Sequence, residues 1–523
     1  VYFLHSHQDS ISASFFHNMT VAHESSASTK EFFDALPGIL ERARNECGIP
    51  GMSVAIMYKG ELAFAQGFGK RNRVDPFTEE TVSHIASVTK AFTATAIGEL
   101  VAEGKVDWDK TPVSDYLPEF ELKDPVLTSQ LTFADMLAHR TPMPFIDLAW
   151  LRNAAPPKVL INQLKHLDMP SKLPSTVNYS NIVYTVAGEA AANVAGMSYK
   201  DLITTKIFDP LGLKSAGLSG ADMAKQPNFA MPYNAASLEE AKKGIYEEGY
   251  INEFPVSDAP SGDIFMDVVD LVKWGQVILK LGELNGKQVL NKESILETVT
   301  PRNIMRRPRL WSDLSPVKGY GYGWIVDSYK GQANFRHDGS YPGYVSQLTL
   351  FPDADLVIAH LTNIHVTNLP STLPYYIADQ ILGLPQTEDW LFEAAAEDSQ
   401  HVYNHFARLA KGDFPERVEN LPQSHPLTDY TGEYTHPVYG KITIRLEGDS
   451  LFMKMSIFDH RLEHHHSESF TTLLHDFTLK FGVLFTFVTG SNGKVYAIKT
   501  VIEDVALEFT RLDVHNIGAK EEK

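Results

Sequence analysis

Residues 84–108, HIASVTKAFTATAIGELVAEGKVDW, place Ser87 and Lys90 three apart at the start of an otherwise apolar, alanine-rich segment closed by Gly104. Residues three apart share a helix face, so the hydroxyl falls within reach of the amine, and the helix N-terminus adds positive potential beside them. Ala91, Ala94 and Gly98 continue that face as small residues that let another element press close, while Val88, Phe92, Ala96 and Leu100 make a broader apolar side. The pattern predicts a buried helix over 84–103 whose first turn carries a paired hydroxyl and amine. Nucleophilic acyl transfer is one use for such a pair: a serine attacks a carbonyl well when a base takes its proton, and a lysine is that base when burial lowers its pKa from about 10.4. A helix-capping serine beside a solvated lysine is the other reading of the pair taken alone.

The same spacing recurs at Ser315–Lys318 and Ser491–Lys494, but the first holds a proline and the second an Asn-Gly hairpin turn, so neither puts both side chains on a helix. Working outward, EFFDALPGILERARNECG (31–48) has helical spacing and ends at a glycine. IPGMSVAIMYKGELAFAQGFG (49–69) reads as two strands around a Lys59–Gly60 turn. LTFADMLAHRTPMP is a short helix ended by proline, and NIVYTVAGEAAANVAG and MDVVDLVKWGQVILKLG are longer ones stopped by glycine. Beyond residue 318 the texture turns to strands, which predicts one sheet built from both ends of this region around a helical insertion. Residues 391–422 read as a charged helical connector. The alternating stretches after it, with turns at Gly448–Asp449 and Asn492–Gly493, read as short antiparallel strands.

Composition narrows the function classes. The chain has 523 residues, a net charge of −19 and 43% hydrophobic residues, which suits a globular protein with a large core and a small ligand better than a nucleic-acid binder. Cys47 is the sole cysteine, so no intrachain disulfide forms, and a cytoplasmic location is expected with secretion left open. No apolar run approaches the roughly 20 residues that span a bilayer. The first 31 residues are expected to be a flexible tail, in which Met19 is a plausible native start and residues 1–18 an upstream extension.

Two further stretches bear on the Ser87–Lys90 pair. LPSTVNYSNIVYTVAGEAAANVAG carries Tyr179-Ser180-Asn181 just before a long helix, and NFRHDGSYPGYVSQLTLFPD carries His337-Asp338-Gly339 on a strand. A second Tyr-x-Asn, at Tyr250, lacks the following helix. With Ser-x-x-Lys, Tyr-x-Asn and His-x-Gly in this order, the sequence resembles the serine β-lactamase and penicillin-binding-protein superfamily, in particular its class C β-lactamase, D-aminopeptidase and family VIII esterase branch. The likeness extends through FDPLGLKSAG, APSGDIFMDVVDLVKW and GYGYGWIVD, over roughly residues 32–385.

The resemblance implies an α+β fold: an antiparallel sheet flanked by helices, of the β-lactamase/transpeptidase kind, with an all-helical insertion. A small C-terminal β-barrel like the lipocalin-like domains of many related hydrolases follows. The expected divisions are 1–31 tail, 32–390 catalytic domain, 391–422 linker, 423–512 barrel and 513–523 polar tail. It further implies that Ser87 is acylated, that Lys90 and Tyr179 share the acid and base work, and that Asn181 binds the substrate's acyl or amide group. His337, Gly339 and Ser340 would complete substrate binding, with the backbone N–H groups of Ser87 and Ser340 as the oxyanion hole.

His337 departs from the lysine usual in β-lactamases. A histidine is only partly charged near neutral pH, so substrate-carboxylate recognition is expected to weaken and penicillin hydrolysis to recede, with Asp338 biasing the ring toward its charged form. HRTPMP replaces the usual His-Thr-Ser-Gly, and Arg140 and Met143 either reshape the pocket or fill a surface corner. Four histidines in DHRLEHHHSES read as a surface strand rather than a metal site. Asn178 lies in a glycosylation pattern whose use would put a sugar on the site. The expected activity is a serine hydrolase, without metal or cofactor, acting on a small-molecule ester or amide or a short peptide, D-amino-acid peptides included. An acyltransferase handing the group to an alcohol and a catalytically silent binding protein are the alternatives. A homo-oligomer is open; nucleic-acid partners are not expected.

Overall fold

Strands β1 (Gly51–Tyr58) and β2 (Glu61–Gly69) form the expected hairpin, Lys59 and Gly60 both taking positive φ in its turn. β1 is apolar and buried over residues 51–56, so it needs cover on both faces and a partner on each edge. The second partner comes from far along the chain: after β3 (Asn303–Ile304), β4 (Gly319–Tyr320), β5 (Ile325–Tyr329), β6 (Gln332–Tyr341) and β7 (Tyr344–Phe351), strand β8 (Leu356–Thr362) pairs Thr362 with Met52 and Leu356 with Tyr58. The sheet runs β3-β4-β5-β6-β7-β8-β1-β2, antiparallel throughout. It is built from both ends of the region, as the sequence pattern predicts. This computed structural model describes residues 27–150, 155–169, 172–251, 259–305, 318–478 and 480–512.

The helices that matter here are α1 (Ala27–Glu46), α2 (Thr89–Ala102), α3 (Phe133–Leu137), α4 (Asp147–Trp150), α5 (Asn181–Ala195), α6 (Val268–Leu279), α7 (Leu369–Leu382) and α8 (Glu393–Lys411). Strand alternation sorts the core into two layers. Val54, Ile56 and Ile358 pack with Leu36 and Leu40 of α1 and with Leu373 and Ile377 of α7. Ala55, Val357 and Ala359 face the other way, into the layer of α2, α5 and α6. Each such fully buried Leu or Ile stabilises the fold by about 1.5–3 kcal/mol.

Boundaries differ from the sequence reading in three places. The buried helix expected over 84–103 starts later: residues 83–84 are strand, Ala86 takes φ 48°, residues 86–88 form a 3-10 turn, and α2 follows. The helix expected to stop at Gly282 ends at Leu279, and Leu281 (φ 48°) turns the chain before the glycine does. α1 begins at Ala27, inside the stretch expected to be tail. Met19 with residues 1–18, Ser315, Asn252 and the tail 513–523 lie outside the described residues.

The C-terminal strands β9 (Gly432–His436), β10 (Gly440–Glu447), β11 (Ser450–Met455), β12 (Phe458–His466), β13 (Ser469–His475), β14 (Lys480–Thr489), β15 (Val495–Ile502) and β16 (Val505–Arg511) form a closed barrel. Closure is made by Tyr434 opposite Arg511. Tyr430, Tyr434, Phe470 and Phe487 meet as a buried aromatic cluster with ring centroids 4.8–6.0 Å apart. The turns fall at Gly448 and Gly493, as expected. α8, in the expected connector, buries Ser399 and Tyr403 and packs on α7 and β14. Among the described residues no helix is long and apolar enough to cross a membrane.

Candidate active site

Ser87 sits on the 3-10 turn ahead of α2, directly after the left-handed Ala86. A non-glycine residue there costs about 1–2 kcal/mol and persists because the surroundings over-determine it. Ile85 N–H donates to Ile264 O at 2.9 Å and Ile85 O accepts from Ser346 Oγ at 2.7 Å, fixing the turn from two sides. Gly339 of β6 presses on the same turn: a Cβ there would stand 2.3 Å from Ile85 O and 3.0 Å from Ala86 Cβ. This contact brings Ser340, the next residue, beside the turn that carries Ser87. From below, Gly323 (φ 79°) lies so close that a Cβ would meet Ala91 N at 2.6 Å. That close approach is what the small residues on the α2 face permit.

Ser87 Oγ has two polar neighbours, Lys90 Nζ at 3.0 Å and the Tyr179 hydroxyl at 2.9 Å. Lys90 is fully buried, and its Nζ also donates to Asn181 Oδ1 at 2.7 Å and to Ser261 O at 2.8 Å. The rings of Tyr179 and Tyr184 lie 4.9 and 5.6 Å from it, faces that favour a cation. Burial pushes the Tyr179 phenol well above its ordinary range, against the opposing hydrogen bond to Ser87, and Asp338 and Asp147 push it the same way. Tyr179 therefore keeps its proton at neutral pH.

Asn181 opens α5, one turn before Tyr184. Its Oδ1 faces Lys90 and its Nδ2 donates to Asp147 Oδ2 at 2.7 Å. Tyr179 is set by a clamp between two loops. Asn178 Nδ2 donates to Thr141 O at 3.0 Å and to Met143 O at 2.9 Å, while Asn178 N–H donates to His139 O at 3.0 Å. The Asn178 amide is thus occupied inside the protein, which fits the argument against a sugar there. Arg140 turns away to pair with Asp135 at 2.7 Å, and Met143 is buried in the core. Of the two readings of HRTPMP, Arg140 takes the surface one, whereas Met143 fills neither the pocket nor a surface corner but the core.

His337 is buried and uses both ring nitrogens. Nδ1 lies 2.6 Å from Asp338 O and Nε2 2.9 Å from the Tyr320 hydroxyl. A carbonyl only accepts, so Nδ1 carries the proton and Nε2 accepts from Tyr320. Burial lowers the pKa to about 4, outweighing Asp338, which acts upward. The expected partial positive charge is therefore not found: the ring is neutral and braces Tyr320, with neither nitrogen left for a substrate carboxylate.

Sequence reasoning passed over four contributors. His139 (φ 52°) lies buried with its ring 4.3 Å from Tyr179, 5.1 Å from Tyr184 and 4.9 Å from Tyr320, and its Nδ1 accepts from Ser180 N–H at 3.3 Å. Tyr184 was findable, three residues after Asn181 on one helix face. Asp147, on a four-residue helix, and the carbonyl of Ser261 carry no local signal. In the barrel, His464 Nε2 and His465 Nε2 each bond a backbone oxygen, of Ser467 and Pro415. No metal-holding cluster occurs among the described residues.

The beta-lactamase family model matches residues 36–381, and a domain of unknown function, DUF3471, matches residues 416–516. An unguisins hydrolase of Aspergillus campestris is 26% identical over 427 residues, 78% of this chain and 76% of that one. The octameric penicillin-binding protein homologue of Pyrococcus abyssi superposes over 91% of this chain and 99% of its own, at 21% identity and a TM-score of 0.56. The D-amino acid amidase of Ochrobactrum anthropi, with D-phenylalanine bound, covers 68% of this chain and 100% of its own, at 22% identity and a TM-score of 0.55.

Proposed function

The chain belongs to the beta-lactamase family, and from that premise we propose that it is a serine hydrolase that forms an acyl-enzyme on Ser87 and cleaves an ester or amide of a small molecule or short peptide, D-amino-acid peptides included. The observation that carries this reading is the position of Ser87 Oγ between Lys90 Nζ and the Tyr179 hydroxyl.

With Tyr179 holding its proton, the base role falls to Lys90, the other group in contact with Ser87 Oγ. Lys90 takes the hydroxyl proton as Ser87 Oγ bonds to the carbonyl carbon, and the N–H groups of Ser87 and Ser340 stabilise the oxyanion. Such donors contribute about 3 kcal/mol each. Collapse of the tetrahedral intermediate breaks the bond to the leaving group, which takes the Tyr179 proton; the Lys90 ammonium then returns a proton to Tyr179. Water repeats the sequence on the acyl-enzyme. Asn181 keeps one Nδ2 hydrogen for the substrate's acyl or amide oxygen. With His337 neutral and engaged, the substrate carries no obligatory carboxylate, which favours neutral esters and amides over penicillins.

The test uses the protein and its Ser87→Ala variant with a fluorophosphonate, p-nitrophenyl esters, D-aminoacyl amides and a chromogenic cephalosporin. The expected result is one adduct on the wild type, none on the variant, and turnover of esters or amides. Absence of both adduct and turnover from the wild type overturns the reading, and cleavage of the cephalosporin alone overturns the substrate class. An added alcohol that diverts product from acid to ester would identify acyl transfer instead.

A further inference from the structure

A hairpin tip of the barrel lands on the helix that carries Asp147. Glu503 and Asp504 take φ of 52° and 62° at the two central positions of the tight turn between β15 and β16. A hairpin tip normally meets water, yet this glutamate is only partly exposed and turns its carboxyl onto the backbone of the other domain. Its Oε1 and Oε2 accept from Leu148 N–H at 3.0 and 3.1 Å, and Tyr439, from the β9–β10 hairpin, donates to Oε2 at 3.4 Å. Burial and the neighbouring Asp147 push its carboxyl well above the usual range. Burying a carboxyl is costly, so its place is set by these partners.

From Leu148 the polar contacts continue to the site. Asp147, the preceding residue, accepts from Asn181 Nδ2 at 2.7 Å, Asn181 Oδ1 accepts from Lys90 at 2.7 Å, and Lys90 reaches Ser87 at 3.0 Å. On the far side, Asn234 Nδ2 donates to Phe477 O at 3.2 Å. The Phe477 ring also lies so close to Gly343 that a Cβ there would come within 3.2 Å of it. Gly343 stands in the turn after Ser340. The barrel is therefore in contact with the other domain on both sides of the site.

We propose that Glu503 is a positioning residue of the active site: by holding the first turn of α4 it fixes Asp147, and through it the Asn181 amide against Lys90, so that the barrel completes the catalytic arrangement. This rests on the reading of Ser87, Lys90 and Asn181 as the site.

A double-mutant cycle on the full chain tests it, with Glu503→Ala, Asn181→Ala and the double variant read by fluorophosphonate labelling rate and by kcat and KM for a p-nitrophenyl ester. The expected result is that E503A lowers kcat and the labelling rate by about tenfold to a hundredfold with KM little changed. It should lose almost nothing further in the N181A background, and Glu503→Gln, which keeps an oxygen acceptor, should recover most of the rate. Equal loss from E503A in both backgrounds, or wild-type rates for E503A, overturns the inference. Should E503A not fold, Glu503→Asp, whose carboxyl is withdrawn by one methylene, carries the same cycle. A wild-type chain that fails to label instead overturns the Ser87 reading, a distinguishable result that takes this inference with it.

Discussion

Nε2 of His337 lies 2.9 Å from the hydroxyl of Tyr320, and both side chains are buried. The ring is held neutral by burial, with the nearby positive charges of Lys90 and Arg336 acting the same way, and it is not alone. His84 and His360 are pushed down to about 3, and His365, like His337, to about 4. Folded pKa values lie below the unfolded value near 6.5, so the unfolded chain binds more protons in the interval. Stability is full above pH 6.5 and is lost as pH falls toward 4 and then 3, each histidine contributing up to about 1.4 kcal/mol per pH unit inside its window. Asp267, raised to about 6, acts in the opposite sense and offsets part of it. Thermal unfolding across pH 7.5 to 4 should show a steep fall below 6.5; a flat profile would contradict the burial of these rings.

Tyr179→Phe keeps the ring against His139 and removes the hydroxyl beside Ser87. Ester turnover should fall about 10²–10⁴-fold, the range of a lost general acid, with an unfolding midpoint near that of the wild type. Steady-state kinetics beside a melting curve separate the two effects; turnover within threefold of wild type would remove Tyr179 from the mechanism.

Asn178→Ala unties the loop clamp. Two hydrogen bonds to Thr141 O and Met143 O are lost, for a destabilisation of about 1–3 kcal/mol. Because Tyr179 is the next residue, kcat should drop as well. Urea unfolding reports the first and ester hydrolysis the second, and a stability change without a kcat change would show that Tyr179 is held by its ring contacts alone.

Gly339→Ala forces a Cβ to within 2.3 Å of Ile85 O, a backbone atom with no room to retreat, and of Ser346 Oγ. Displacing β6 from the Ser87 turn should cost about 1–3 kcal/mol of stability and slow fluorophosphonate labelling disproportionately, since the same contact aligns Ser340 with Ser87. Wild-type labelling in a folded variant would mean that the Ser340 N–H is not used.

What could be read in the sequence follows from how local each feature is. The β1–β2 hairpin, α5 with its stop at Gly196, and the barrel turns at Gly448 and Gly493 are written in adjacent residues, by alternation, helical spacing and positive-φ glycines. Ser87, Lys90, Tyr179, Asn181 and Gly339 were legible because each stands in a short ordered motif, and the fold brings all five together. The left-handed Ala86 was not, because nothing in its neighbours demands it; Ser346 and Gly339, more than 250 positions away, hold the turn that precedes Ser87. The charge of His337 was misjudged for the same reason: Asp338 is visible next door, whereas Tyr320 and the burial that outweighs it come from folding. Asp147 and Glu503 meet only because a barrel hairpin lands on a four-residue helix.

The pairing of Met52 with Thr362 sets a condition on how this molecule is made. Closing so long a loop costs about 5 kcal/mol in chain entropy before any contact rewards it, and the strand that must arrive is synthesised some three hundred residues after the one that waits. Until β8 emerges from the ribosome, β1 exposes one unpaired apolar edge, a template for pairing with other chains. Newly made molecules should therefore depend on holding factors during synthesis, and refolding yield should fall steeply with protein concentration.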